Sequence, residues 1–496
     1  MKIVSNVSCP VCGCLCDDIE LEIEKNVVTK VKNACAMGEA KFLGYSGTHR
    51  PLKPMIRKNG KLEEVTLTEA VKKAAEILAN ARYPILYGWS NTSCEATRIG
   101  MELTEEVGGV IDNTSTVCHG PSVLSIQDIG FPTCTLGQVR HRADLVIYWG
   151  CNPWSAHPRH IERYTNFTEG RFRSSEYNHY LAGISSYRAQ QRLNRASKLA
   201  IEKGKEEVSV PEEPMFRRCE PVSPSLLQKE RKMIVVDVRK TRTADLADYF
   251  LQVEPNQDYE LLQALRMLAR NEELEVDQVA GVPVKILEDL VDVMISSEFG
   301  VLFFGVGLTM SAGKLRNIDA ALSLTRDMNE HTKFVIMPMR GHYNVTGANI
   351  VSTWQSGYPY AVEFAHGYPR YNPGETSVTQ ILSRGENDAA LVIASDPVAH
   401  FPKSQAENLV KNPLIVIDPE TNATSLVADV VIPSAVQGIE VEGTAYRMDM
   451  VPIPLKKVVT APKGVLSDQQ ILEKILREVR RTKKAKKTEE AYTQDA

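Results

Sequence analysis

The stretch MIVVDVRKTRTADLAD at 233–248 and the stretch LIVIDPETNATSLVAD at 414–429 read as one element used twice. Asp237 answers to Asp418, Thr243 to Thr424, Ala247 to Ala428 and Asp248 to Asp429. Each opens as a run of apolar residues without polar alternation, the pattern of a strand buried on both faces, and then passes through an Asp and a short loop into a helix. The flanking segments repeat as well. LVIYWGCNPWSAHP at 145–158 resembles LVIASDPVAHFP at 391–402, which sets Asn152-Pro153 against Asp396-Pro397. Further upstream, PILYGWSNTSCEATRIG at 84–100 resembles VLFFGVGLTMSAGKLR at 301–316, each a strand, a glycine turn and a helix. The strands VIDN at 110–113 and FVIM at 334–337 follow. Strands alternating with helices in two related halves predict α/β domains with parallel sheets. Ligands of open parallel sheets sit beyond the C-terminal ends of the strands. The repeated Asn/Asp turns are therefore where a large ligand is expected, between the halves. Asp and Pro after a strand also shape a turn and cap the next helix with no ligand at all.

Working outward, the chain has 496 residues and 55.2 kDa, with 43% hydrophobic and 24% charged residues. These are ordinary globular values and exclude a mostly disordered chain. Lys and Arg total 58 against 62 for Asp and Glu, a net charge of −4, so no basic excess points to nucleic acid or an acidic membrane surface. No run approaches the ~20 apolar residues that cross a bilayer. Met1, Lys2, Ile3 and Val4 lead directly to a cysteine cluster without an apolar signal segment or twin-Arg pair, so a cytoplasmic location is expected.

The path from Asn152 to Asp237 is far longer than that from Asp396 to Asp418, so an insertion is expected at 166–231. It is rich in Arg, Lys, Ser and Tyr, with a helix near 187–204 and a loop bearing Pro211, Pro214, Pro221 and Pro224. Insertions of this length are partner-binding or lid elements, or simply tolerated surface loops. The resulting division is a cysteine-rich subdomain at 1–55, a first α/β domain at 56–165 and 232–295, the insertion, a second α/β domain at 296–435, and a closing segment at 436–480 with a helix near 467–480. The charged tail 481–496 lacks apolar spacing and is expected to be frayed or disordered.

Five cysteines crowd the first 35 residues, whereas Cys94, Cys118, Cys134, Cys151 and Cys219 are scattered. Disulfides are a poor default in a reducing compartment. Cys9, Cys12 and Cys16 make C-x2-C-x3-C, with Cys35 following and Cys14 to spare. Three thiolates on a tight loop and a fourth from elsewhere suit a cubane [4Fe–4S] cluster. Four cysteines also satisfy a tetrahedral zinc ion. Lys41, just beyond Cys35, is either a contact between such a cluster and a second cofactor or a surface lysine.

Cys118 follows the VIDN strand in STVCHGPS, with His119 beside it. It is open to three roles: nucleophile, metal ligand or inert thiol. The corresponding strand FVIM leads to PMRGHYNVTG, which presents Arg340 and His342. The correspondence of the halves predicts that Cys118 and Arg340 approach one another. A thiolate, an imidazole and a guanidinium suit a soft metal handling a small anion. Arg340 would hold a carboxylate by its fork, and His119 would move a proton.

The cysteine cluster, Cys118-His119-Gly120, GCNPWSAHP, the Asp237/Arg239/Thr243 element and MRGHYNVTG at 339–347 together resemble the molybdopterin oxidoreductase superfamily. Within it the resemblance is greatest to the tungsten- or molybdenum-bearing B subunit of formylmethanofuran dehydrogenase, over roughly 3–165 and 232–460 and excluding the insertion. The resemblance implies an N-terminal iron–sulfur subdomain and two pseudo-repeated parallel α/β domains. It implies one [4Fe–4S] cluster on Cys9, Cys12, Cys16 and Cys35. It implies tungsten or molybdenum held by two molybdopterin guanine dinucleotides and by Cys118, with His119 and Arg340 around the substrate. Lys41, Gly150, Asn152, Asp237, Arg239, Thr243, Gly305, Gly341, Asp396 and Asp418 are the implied pterin and nucleotide contacts. The implied reaction reduces CO2 to formate, which a partner amidohydrolase subunit condenses with methanofuran in methanogenesis. Ferredoxin-like subunits would supply electrons.

Two departures stand out. Val238 occupies the place where the family has Pro before Arg239, and the chain ends soon after TAYRMDMVPIP, too early for a C-terminal β-barrel domain. A small β-barrel subunit is then expected to complete the pterin site. Two other functions compete: a formate dehydrogenase catalytic subunit, and a redox-inactive scaffold subunit of a formyltransferase/hydrolase complex. The missing barrel argues against the first, and the retained Cys118 and cluster cysteines against the second. Sequence leaves tungsten and molybdenum equal, since both are soft enough for the same sulfur set.

Overall fold

The computed structural model describes residues 1–47, 50–168 and 231–494, with side chains in the last helix described as far as 486. Nearly all of the expected insertion, including its helix near 187–204, lies outside the described residues. The chain forms two compact units, one of Met1–Gly130, Thr309–Ile318 and Pro338–Ala496, the other of Phe131–Leu308 and Asp319–Met337.

The fold is mixed α/β with parallel sheets. The second unit is built on a five-stranded sheet in the order Tyr249–Gln252, Lys232–Asp237, Leu145–Trp149, Phe299–Phe304, Lys333–Pro338. Pairing is parallel from the first of these through Phe299–Phe304. In the first unit, Val110–Asn113, Pro84–Gly88, Ala389–Ile393, Leu414–Ile417 and Val430–Ile432 form the parallel centre of a nine-stranded sheet. Short antiparallel strands extend both edges, Val362–Glu363 and Arg370–Tyr371 on one side and Met55–Lys58 and Lys61–Glu64 on the other.

This arrangement corrects the expected domain boundaries. A first domain from 56–165 and 232–295 and a second from 296–435 would each hold one repeat. Instead the repeats exchange strands. Leu145–Trp149, from the first repeat, pairs with Phe299–Phe304 from the second, and Pro84–Gly88 pairs with Ala389–Ile393. All four strands are buried along their whole length. An unbroken apolar run identifies a strand but says nothing about which neighbour it takes.

Both faces of the nine-stranded sheet are covered. Ala74 and Leu78 of helix Leu67–Asn80, Ile99 and Leu103 of helix Cys94–Val107, and Ile471, Ile475 and Val479 of the C-terminal helix pack on Leu86, Leu391, Ile415 and Ile417. Val378, Ile381, Leu382 and Leu409 pack on the alternate residues Ile85, Val392 and Val416. Fully burying a side chain of this kind contributes about 1.5–3 kcal/mol.

The C-terminal helix spans Asp468–Gln494, so the tail expected to be frayed continues it. The reason is tertiary as well as local. Ala, Lys, Arg and Glu are good helix formers, Arg480 pairs with Glu102 at 2.8 Å and Glu106 at 3.1 Å, and Lys483 donates to the carbonyl of Glu106. Among the described residues no helix is long and apolar enough to cross a membrane.

At the N-terminus, Lys2–Val7, Ile19–Glu24 and Val27–Lys32 form a three-stranded antiparallel sheet. Ile19, Leu21 and Ile23 point inward at the two-residue period of a strand. The sheet presents the Ser8–Asp18 loop, which carries four of the clustered cysteines.

Candidate active site

The cysteine loop closes on itself through Cys9 N–H donating to the Cys16 carbonyl at 2.8 Å and Leu15 N–H to the Cys12 carbonyl at 3.0 Å. Cys35 arrives from outside the loop as the N-cap of helix Ala36–Gly44, its carbonyl accepting Glu39 N–H at 2.8 Å. Burial pushes the Cys9 thiol up, and Cys16, Cys12 and Cys35 push it further. Hydrogen bonding from Cys14 holds Cys12 below the usual thiol range. A Cβ at position 38 would stand 3.1 Å from Cys9 Sγ and 3.9 Å from Cys35 Sγ, so Gly38 keeps the space beside these sulfurs open. Among the described residues no three His, Cys, Asp or Glu donors close on a single metal ion.

The same loop is joined to the segment carrying Arg340. Cys12 and His342 form an antiparallel bridge, and Gly13 N–H donates to the Gly341 carbonyl at 3.2 Å. A Cβ on Gly13 would meet the Arg340 carbonyl oxygen at 2.4 Å, so only glycine permits this approach. Arg340 is 6% exposed. Burial lowers its pKa to about 10, opposed by the Cys118 sulfur. Burial raises the Cys118 thiol, opposed by Arg340. The two expected partners are thus brought together within the first unit. Burial, and then His400, hold His342 below the ordinary imidazole value.

Cys118 and His119 are set by the end of strand Val110–Asn113. Asn113 Oδ1 accepts Ser115 N–H at 2.8 Å and starts a 3-10 turn over Thr114–Val117. Cys118 N–H returns to the Ser115 carbonyl at 3.2 Å, and Thr309 Oγ1 donates to the Cys118 carbonyl at 2.8 Å. Beneath the turn, Asp112 accepts from Asn113 N–H, Ala361 N–H, Val378 N–H and Thr116 Oγ1 at 2.8, 3.2, 2.9 and 2.5 Å. Its full burial still pushes it up to about 6. His119 Nε2 lies 3.1 Å from Ser115 Oγ.

Beside the cysteine loop is a cavity of about 350 Å³, lined by Pro10, Val11, Lys41, His342, Asp418 and Asp468 among others. Lys41 Nζ donates to Glu420 at 3.2 Å rather than standing free at the surface. Burial pushes Asp418 up to about 7, with Asp468 and Glu420 adding to the rise and Lys41 opposing it. Burial raises Asp468 too, although Thr92 Oγ1 donates to it at 2.6 Å.

No protein-family model matches the chain. It is 46% identical over 482 residues to the B subunit of the tungsten-containing formylmethanofuran dehydrogenase 2 of Methanocaldococcus jannaschii, covering 97% of this chain and 99% of that one. It is 44% identical over 481 residues to the protein of the same name from Methanococcus maripaludis, with the same coverage. The chain belongs to the B-subunit family of formylmethanofuran dehydrogenases. Its fold also matches a solved structure, the formyltransferase/hydrolase complex of Methylorubrum extorquens with methylofuran, at a TM-score of 0.60 and 20% identity, covering 86% of this chain and 99% of that one. As a member of the formylmethanofuran dehydrogenase family the chain is an oxidoreductase.

In this formylmethanofuran dehydrogenase subunit, the repeated turn residues are tied to their own backbone. Thr243 Oγ1 donates to Asn152 Oδ1 at 2.6 Å and accepts Trp154 N–H at 3.2 Å. In the other unit Thr424 Oγ1 donates to Asp396 Oδ1 at 2.6 Å and accepts Val398 N–H at 3.1 Å. Asp237 accepts Arg239 N–H at 3.2 Å where Asp418 accepts Glu420 N–H at 2.9 Å. Asp248 accepts Met233 N–H at 2.7 Å where Asp429 accepts Leu414 N–H at 2.8 Å. Gly150 and Gly305 lie where adjacent strands end, with Gly305 N–H on the Trp149 carbonyl at 3.1 Å and Gly307 N–H on the Gly150 carbonyl at 2.9 Å.

Sequence reading missed one matching pair. Asp144 accepts Glu298 and Phe299 N–H at 2.9 and 2.8 Å, and Asp388 accepts Arg82 and Tyr83 N–H at 2.7 and 3.0 Å. Each clasps the start of the neighbouring strand. Both stand eight residues ahead of the matched Asn152 and Asp396, which is the signal that would have found them. Ser115, Asp112 and Asp468 carry no such signal.

Proposed function

We propose that this chain is the catalytic redox subunit of a formylmethanofuran dehydrogenase, taking CO2, two electrons and a proton to formate. The observation that carries the reading is the joining of three parts in one unit: Cys118 and the buried Arg340 near enough for the charge of one to act on the other, and the Arg340 segment bonded through its backbone to the cysteine loop. The donor set fits the groups this chemistry needs. Cys9, Cys12, Cys16 and Cys35 would hold a [4Fe–4S] cluster, with room beside Cys9 and Cys35 kept by Gly38. Cys118 would give its thiolate to the metal of a bis-(molybdopterin guanine dinucleotide) centre, and the names of both relatives favour tungsten. Such a centre, when bound, supplies the two-electron change, with the cluster feeding electrons singly.

The rest falls to side chains of this chain. Arg340 is buried and rigidly mounted, and its fork orients the carboxylate and stabilises the negative charge that develops on the oxygens. His119 exchanges the proton. Lys41 and Asp418 line the cavity between the cluster loop and the strand ends, where a pterin ring would lie. The turns at Gly150, Asn152, Asp237, Arg239, Thr243, Gly305, Gly341 and Asp396 shape the surfaces for the nucleotides. The relatives are subunits by name, and the matched structure is a multi-subunit complex. We therefore read this chain as working with an amidohydrolase partner that receives formate, a small β-barrel subunit and ferredoxin-like electron carriers, in the cytoplasm.

Metal analysis of the purified native complex tests the reading. About four irons and one tungsten or molybdenum per copy of this chain, together with formate-dependent dye reduction, are expected. A complex with neither metal would leave only a scaffold role.

A further inference from the structure

The C-terminal helix carries two kinds of cation. Its apolar face, with Ile471, Leu472, Ile475, Leu476 and Val479, is buried in the core of the first unit. Beside that face, Arg480 and Lys483 are answered by helix Cys94–Val107, through the carboxylates of Glu102 and Glu106 and the Glu106 carbonyl. On the side turned away from the core, Lys474, Arg477, Arg481 and Lys484 are all exposed. Their spacing of three, four and three residues sets them in one row. At the rise of an α-helix the row is about 15 Å long. Arg481 meets Glu478 at 3.6 Å, and among the described residues Lys474 and Arg477 have no ion pair. Cations at these intervals repel one another along a helix. The chain as a whole has a net charge of −4, so the row is not the by-product of a basic composition. The buried apolar face holds the helix in place against that repulsion.

We propose that this row is a docking surface for an acidic face of another protein subunit, one that presents Asp and Glu side chains along a helix or strand. Opposed carboxylates cancel the repulsion within the row and give the contact its register. This rests on the reading of the chain as one member of a multi-subunit complex and deepens it by naming where, and by what chemistry, a partner sits. A lipid surface fits less well. A membrane-lying helix needs an exposed apolar face beside its cations. Here that face is already buried in the core, and no large apolar side chain is exposed between 468 and 486. A long polyanion such as nucleic acid would meet a chain whose net charge repels it.

The test is cross-linking of the native complex with a carbodiimide, which joins a lysine amine directly to a carboxylate that touches it, followed by peptide mass spectrometry. Lys474 and Lys484 should join to Asp or Glu of an identified second subunit at low salt. Those links should be lost at high salt, where surface charges are screened. In the complex carrying Arg477→Glu with Arg481→Glu, the same subunit should be held roughly tenfold more weakly, read as its dissociation on dilution by native mass spectrometry. Arg477→Gln with Arg481→Gln keeps helix propensity and adds no like charge beside Glu478. It should show a smaller loss of the same kind at the parent's unfolding midpoint. Links from these lysines to this chain only, or a parent-like hold in both double variants, would overturn the proposal. So would weakened binding that merely tracks a lowered unfolding midpoint. Binding of the native complex, but not of the variants, to phosphatidylserine-containing vesicles or to a duplex oligonucleotide would also overturn it, by assigning the row to a different anion. A native preparation holding this chain by itself would fail the reading of a multi-subunit complex, and the proposal with it.

Discussion

The turn after Leu145–Trp149 and the turn after Ala389–Ile393 close through the same hydrogen bonds, threonine to Asn152 in one and threonine to Asp396 in the other. The exits of Val110–Asn113 and Lys333–Pro338 are also counterparts in the repeat, yet share no chemistry: one offers Cys118 and His119, the other Arg340 and His342. The difference separates two jobs. Positions kept alike in both repeats hold backbone, because every copy of a strand-turn-helix unit leaves the same N–H groups to satisfy. Positions that differ are released from that duty and, on the proposed function, are where the reaction is built.

This contrast can be broken most directly at Cys118. Cys118→Ala should abolish formate-dependent dye reduction and leave the iron content unchanged; retained turnover would return position 118 to the scaffold class. Arg340→Lys should lower kcat/KM for formate by about 10²-fold, since an ammonium cannot reproduce the two-pronged geometry. Activity equal to the parent's would show that charge alone matters there.

A subtler comparison sets Asp418 against its counterpart Asp237. Asp418 is raised from 3.8 to about 7, mainly by burial, while Asp237 is raised from a half-buried position. A carboxyl whose folded pKa lies above its unfolded value binds protons more tightly when folded. Its contribution is therefore full below pH 4 and is lost as pH rises toward 7. Asp418→Asn should flatten the pH dependence of stability across that window, by on the order of 4 kcal/mol. Asp237→Asn should flatten it less; equal effects would mean that the cavity imposes no special burial. The smallest expected effects belong to the turns. Asp396 also accepts Ala423 and Thr424 N–H at 3.2 and 2.9 Å. Asp396→Ala should therefore cost about 2–3 kcal/mol, and Asn152→Ala about 1 kcal/mol, in denaturant unfolding. Activity lost without stability in either variant would instead mark a ligand contact.

Part of the proposed site was legible. Cysteine spacing named the four-thiol set, and the repeat placed Cys118 near Arg340. Recurrence of Asp and Thr in register suggested ligand contacts, and the same residues also close their own turns, Asp396 with Thr424 Oγ1 and Asp429 with Leu414 N–H. Ser115 was illegible because a serine in a turn is unremarkable until Asn349, from a helix far along the chain, faces it. Asp468 gained meaning only from the cavity it lines with Asp418.

Sequence alone determined that this chain builds parallel α/β sheets twice over and carries a thiol cluster at its start, because apolar runs and cysteine spacing are local properties. Which strands pair was decided by tertiary structure. Leu145–Trp149 and Pro84–Gly88 are each apolar on both faces and would satisfy their backbone against either repeat. Only the assembled sheets, clasped by Asp144 and Asp388 at the strand starts, select the exchanged pairing.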